Sequence, residues 1–128
     1  MKPKILLVDD LEEILEALKK LLRSCELTEA RDGKSAVELA ASGRPDLVLL
    51  DYHLPDMGGD EVLEKMRKLD PPPVVIIMTG DDTVETAGKS LAAGAFAHIT
   101  KPFEAKQMLE LVIKGLEFAE KEKAKRGL

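Results

Sequence analysis

Five short apolar runs, each followed by a stretch of helical periodicity, constrain this chain more than any other feature. Ile5–Val8, Leu47–Leu50 and Val74–Met78 are solidly apolar, whereas Glu26–Ala30 and Phe96–Ile99 mix apolar with polar residues. Runs of this length are typical of strands. After the first, Leu11, Ile14, Leu15, Leu18 and Leu22 recur at helical spacing. After the second, Asp32-Gly33 marks a turn and Ala36, Val37 and Ala40 a short helix; after the third, Val62, Leu63, Met66 and Leu69 mark another. Pro71-Pro72-Pro73 blocks any continuation of that helix. Thr83 to Ala93 reads as a fourth helix closed by Gly94, and Glu104 to about Lys121 as a fifth. Strands alternating with helices imply a parallel sheet with helices on both faces.

Strand composition orders that sheet. A strand covered on both faces must be apolar throughout, which places the first, third and fourth in the centre and the second and fifth at the edges. Right-handed crossovers then give the order 2-1-3-4-5, that of the single-domain α/β, flavodoxin-like (βα)5 fold. In such sheets ligands bind beyond the carboxyl ends of the strands. With 128 residues the chain fits one domain. A net charge of −5 argues against the domain gripping a nucleic-acid backbone. No apolar run approaches the ~18 residues of a membrane span, and Ile5–Val8 is too short for a signal peptide. The lone Cys25 cannot form an internal disulfide and fits a reducing cytoplasm.

The strand ends carry the chemistry. The first strand runs into Asp9 and Asp10, the third into Asp51, the fourth into Thr79, and the fifth through Thr100 into Lys101-Pro102. A parallel sheet brings all of these to one edge. Singly, each has an ordinary explanation: Asp10 as a helix cap, Asp51 as a loop aspartate, Thr79 as a turn residue, Lys101 as a solvated charge. Together they do not. Two like charges about 4 Å apart repel by roughly 4 kcal/mol at an effective dielectric of about 20. Lys101 offsets one of three carboxylates, and a divalent ion matches the rest. All-oxygen ligands favour Mg²⁺ or Mn²⁺, while a zinc site would need Cys and His at ligand spacing. A metal beside a carboxylate suggests phosphoryl transfer to Asp51, the phosphoryl oxygens being shared among the metal, Lys101 and Thr79.

Four segments extend this into a family resemblance: Asp9-Asp10, Asp51-Tyr52-His53-Leu54-Pro55-Asp56-Met57-Gly58-Gly59, Met78-Thr79-Gly80, and Gly94-Ala95 leading to Lys101-Pro102-Phe103. In this order and spacing the chain resembles the receiver domain of bacterial two-component response regulators, over residues 4 to 118. The resemblance implies a receiver domain at 1–118, a charged helical extension or tail at 119–128, and Asp51 as phosphoacceptor. It implies Asp10 as a direct Mg²⁺ ligand, Asp9 as a direct or water-mediated one, and the His53 backbone carbonyl as the third protein ligand. Thr79 and Lys101 should hold the phosphoryl group, Lys101 pairing with Asp51 before modification. Pro102 should follow a cis peptide, Gly59 should permit closure of the loop after Asp51, and Gly80 should leave room for the phosphoryl group. The implied partners are a histidine kinase or histidine phosphotransfer protein, an output domain, and a second copy on phosphorylation. Thr83-Val84-Glu85-Thr86-Ala87 and its surroundings resemble receivers of nitrogen-regulation-type activators.

Departures from the family pattern bear on how a signal leaves the site. His98 stands where many relatives carry Tyr or Phe, so its charge near neutrality would depend on pH; the alternative is a partly exposed edge residue with no switching role. His53 and Asp81 flank the site at positions that tune phosphoryl lifetime in relatives. The Leu22–Glu26 segment is short, with Ser24 near a usual glycine. Thr83, Thr86, Gly88 and Ser90 make the fourth helix intrinsically weak, suggesting a movable element. The charge run Ala119–Arg126 reads first as a solvated extension of the last helix and otherwise as a linker to an output domain. A flavin carrier is disfavoured by the absence of Trp, a single Tyr52, and acid after the first strand. A haloacid-dehalogenase-like phosphatase wants a second Asp where His53 stands. An unphosphorylated receiver-like interaction module would usually have lost site residues, and here all are present.

Overall fold

A computed structural model describes residues 2–80 and 84–127. The elements are β1 (Lys4–Val8), α1 (Glu12–Leu21), β2 (Glu26–Ala30), α2 (Gly33–Gly43), β3 (Leu47–Asp51), α3 (Gly59–Arg67), β4 (Val74–Thr79), α4 (Val84–Ala92), β5 (Ala97–Thr100) and α5 (Ala105–Lys125). The five strands pair in parallel in the order β2-β1-β3-β4-β5. The edges are the two strands with mixed composition.

Side chains alternate between the faces of a strand, and two cores result. Ile5, Leu7, Leu47, Leu49, Ile76, Met78 and Ile99 pack with Leu15 and Leu18 of α1 and Met108 and Val112 of α5. On the other face Leu6, Val8, Val48, Leu50, Val75 and Ile77 pack with Ala36 and Ala40 of α2 and Val62, Leu63 and Met66 of α3. The solidly apolar strands are thus consumed on both sides.

Several boundaries differ from the sequence pattern for identifiable reasons. Asp32 is the N-cap of α2, its side chain accepting from the Ser35 N–H at 2.7 Å, so the helix begins at once and not after a separate turn. α3 starts at Gly59, earlier than its first apolar residue, because its first turn is polar, with Asp60 and Glu61. That charge placement suits a helix N-terminus. α5 runs to Lys125: Ala119 is buried, Lys123 pairs with Asp46, and Arg126 pairs with Asp70. Gly94, expected to close the fourth helix, follows α4 at φ +103°. Of the flanking positions singled out in the sequence, Asp81 and Thr83 lie outside the described residues.

Candidate functional site

The carboxyl ends of β1, β3 and β4 meet at one edge of the sheet, β1 running on into Asp9 and Asp10 while β3 and β4 end in Asp51 and Thr79. Asp9, Asp10 and Asp51 each place a carboxylate oxygen within 4.8 Å of the others. Asp9 is fully buried and Asp51 is 5% exposed, while Asp10 faces solvent. Asp10 does not cap α1: the N-cap is Leu11, and the Leu11 N–H donates to Asp9 Oδ1 at 3.0 Å.

Lys101 Nζ lies 2.7 Å from Asp9 Oδ2 and 3.4 Å from Asp51 Oδ1. The lysine is thus held chiefly by Asp9, whereas the resemblance pairs it with Asp51. Its backbone is fixed as well, since the Lys101 N–H donates to the Thr79 carbonyl at 2.7 Å, and the Lys101–Pro102 peptide is cis. Thr79, the last residue of β4, is fully buried. Gly80 is exposed, and a Cβ there would meet open space.

Asp51 is buried but only loosely engaged, with Lys101 at 3.4 Å. Burial pushes its carboxyl above the usual 3.8, and the charge of Asp9 pushes it further, against Lys101 and the His53 N–H, which donates to Asp51 Oδ1 at 3.3 Å. The loop after Asp51 folds tightly: His53 and Gly58 form an antiparallel bridge, and the Gly59 N–H donates to the Tyr52 carbonyl at 2.7 Å. A Cβ at Gly59 would fall 2.7 Å from Tyr52 Cα and 3.1 Å from its carbonyl oxygen. Backbone is in the way there, so Gly59→Ala should cost about 1–3 kcal/mol, the range of overpacked sites. A urea midpoint unchanged from the native chain would show that the loop yields freely.

His98 sits apart from the acids. It pairs with Ile77 in register, on the face covered by α2 and α3. It is half-buried, and its Nε2 is enclosed without a hydrogen-bond partner. Sequence reasoning missed Asp56. Its carboxylate accepts the N–H groups of Gly33 and Lys34, which hold it below the usual carboxylate range. Those partners are 23 and 22 residues away, so no local signal marks them. A cavity of about 740 Å³ opens at the opposite end of the sheet, between Pro71–Pro73, Phe96 and Phe118, and none of the acids lines it. The chemistry is therefore placed by the acidic cluster and not by the cavity.

The residues present fit a divalent cation. Three carboxylates converge, one of them fully buried, and Lys101 is the cation found among them in the described residues. Two negative charges are left over, and all the side-chain donors are hard oxygens.

A parallel (βα)5 sheet that gathers acid, hydroxyl and amine at its carboxyl edge defines the class, an α/β domain of receiver type. Comparison with known proteins agrees. The model of the response regulator receiver domain matches residues 5–113. The chain is 36% identical over 118 residues to sporulation initiation phosphotransferase F of Bacillus subtilis, covering 91% of this chain and 95% of that protein. It is 35% identical over 127 residues to the regulatory protein AtoC of Escherichia coli, covering 98% of this chain but 28% of AtoC. A CheY-like response regulator receiver domain protein from Methanospirillum hungatei superposes with a TM-score of 0.89 at 36% identity, over 95% of this chain and 99% of that one. The chain belongs to the response regulator receiver domain family, the phosphorylation-dependent switches of two-component signalling. It spans about half or less of the length of several other relatives. No helix among the described residues is long and apolar enough to cross a membrane.

Proposed function

We propose that this receiver accepts a phosphoryl group on Asp51. The observation that carries this is the unequal engagement of the three acids. Asp9 is committed to Lys101 and the Leu11 N–H, Asp10 is exposed, and Asp51 is buried with its nearest cation at 3.4 Å. An Asp51 oxygen attacks the phosphorus of a phosphohistidine; the P–N bond breaks, and the electron pair returns to the imidazole. Asp9, Asp10, Asp51 and the His53 carbonyl would hold Mg²⁺, or Mn²⁺ in its place. When bound, that ion neutralises charge on the transferring group. Lys101 and the Thr79 hydroxyl take the remaining phosphoryl oxygens, Gly80 leaves them room, and Pro102 sets the approach of the lysine. His98 relays the change from Thr79 toward α4, and the same site hydrolyses its own acyl phosphate slowly. The donor is a cytoplasmic histidine kinase or phosphotransfer protein. Residues 1–118 form the switch and 119–128 its extension toward an output partner, with dimer formation as one way to read out the modified state.

The test is incubation with Mg²⁺ and acetyl phosphate, followed by intact-protein mass measurement. One added phosphoryl group is expected, lost in Asp51→Asn and without metal. No adduct, from acetyl phosphate or from a partner kinase, would overturn the proposal. Mg²⁺ should also stabilise the unmodified protein. At about ten times Kd the gain is about 1.4 kcal/mol, or roughly 5 °C in Tm for a chain this size. Asp10→Ala should remove most of that gain while costing little without metal, because Asp10 is exposed. An undiminished Mg²⁺ shift in that variant would take Asp10 out of the ligand set.

A further inference from the structure

Seven residues, 52–58, join β3 to α3 and carry the His53 carbonyl. A backbone oxygen can serve a metal only if its loop is held in place. Part of that hold is internal, in the His53–Gly58 bridge and the Gly59 to Tyr52 hydrogen bond. The rest comes from a helix that contributes no residue to the acidic cluster. Asp56 Oδ1 accepts the Gly33 N–H at 2.7 Å, and Oδ2 accepts the Lys34 N–H at 3.0 Å.

These are the first two N–H groups of α2, donors that no helix satisfies internally. The next, on Ser35, goes to Asp32. Two aspartates thus divide one helix end, one from its own N-cap and one from the loop beside the site. The carboxylate also meets the positive end of the helix dipole. The approach is close: a Cβ on Gly33 would fall 2.3 Å from Met57 Cγ, so the glycine lets Met57 seat against α2. Met57 packs in the same core as Ala36 and Val62.

We propose that Asp56 is a positioning residue for the metal site: by clasping the N-terminus of α2 it fixes the β3–α3 loop, and with it the His53 carbonyl, before a cation arrives. This rests on the reading that the loop supplies a metal ligand. Asp56 itself faces solvent and touches neither metal nor phosphoryl group. Its loss acts through the entropy of the loop, which the metal must then order. Outer partners of metal ligands commonly change affinity by about 10–100-fold, and we expect the lower end for one backbone ligand among several.

Mn²⁺ binding, read from the free-ion signal in electron paramagnetic resonance, separates this from a general stabilising role. Asp56→Ala should raise the Mn²⁺ Kd about tenfold. Asp56→Asn, which keeps one acceptor oxygen, should fall between. Asp32→Ala removes the local cap of the same helix, so it should lower Tm yet leave Kd unchanged. Hydrogen exchange gives the reciprocal readout: Mg²⁺ should slow exchange at Gly33 and Lys34 in the native chain and not in Asp56→Ala. An unchanged Kd in Asp56→Ala, or an equal rise in Asp32→Ala, would overturn the positioning role while leaving the metal site intact. A native chain that binds no Mn²⁺ would remove the metal-site reading itself, and this inference with it.

Discussion

Asp51→Asn should leave the protein unable to gain a phosphoryl group and, without metal, more stable than the native chain. The first effect is complete, because an amide nitrogen and carbonyl cannot replace the attacking carboxylate. The second follows from the raised pKa of Asp51. Burial and the Asp9 charge disfavour its ionised form in the folded state, and Lys101 offsets only part of this. Above the raised value the folded chain carries the whole penalty. As pH falls from there toward 3.8 the folded state takes up its proton before the unfolded state does, and the penalty disappears. Below 3.8 both states are protonated and nothing is left to relieve. The stability gained by the amide should therefore be full at neutral pH, shrink through that window and vanish in acid. Burial is the largest source of the gain and the Asp9 charge the second, less what Lys101 and the His53 N–H give back, and it should read as a rise in Tm at neutral pH. Thermal melts of both chains against pH, with chelator present, measure it. A gain independent of pH would show that charge is not its source. Saturating Mg²⁺ should reverse the order, since the native site then recovers its cation and the amide gives up a ligand.

Lys101→Ala should act in the opposite direction and cost stability. Lys101 Nζ and Asp9 Oδ2 are 2.7 Å apart, with the Asp9 side chain 0% exposed and that of Lys101 15%. Removing the amine strands a buried carboxylate, and breaking such pairs costs about 3–5 kcal/mol. Because Asp9 keeps its bond from the Leu11 N–H, about 3 kcal/mol is expected, or roughly 10 °C in Tm. Exposed pairs offer the contrast. Lys19 and Glu29 approach to 2.7 Å with side chains 38% and 33% exposed, and Lys19→Ala should cost under about 1 kcal/mol. Mg²⁺ should narrow the gap to the native chain in Lys101→Ala and leave it unchanged in Lys19→Ala. Equal, small losses in the two variants would mean that Asp9 does not depend on the lysine.

The sheet was readable in the sequence because its central strands have no choice of partner. Ile5–Val8, Leu47–Leu50 and Val74–Met78 are buried on both faces and must be apolar throughout, which also sets their order. The acids were readable because a parallel sheet collects every strand end on one edge. Contacts that join distant segments without a periodic pattern were not readable. The Asp56 clasp on α2 is one. Another is the preference of Lys101 for Asp9, which depends on less than 1 Å between two acids that look alike in sequence. The far end of α5 is a third: Lys123 and Arg126 read as a solvated charge run, yet their partners Asp46 and Asp70 lie before β3 and before β4.

That helix has a mechanical consequence. At about 1.5 Å per residue, the 21 residues of α5 span about 31 Å. One end follows the Lys101–Pro102 turn beside the acids, and the other is moored by Lys123 and Arg126 where the strands begin. A rod of that length is a lever. A tilt of about 5° at the charged end moves the far end by about 3 Å, enough to part an ion pair. The moorings to Asp46 and Asp70 are ion pairs whose basic partners are solvated, and such pairs hold weakly, so a tilt begun at the acidic edge would carry to the opposite pole of the molecule with little to oppose it.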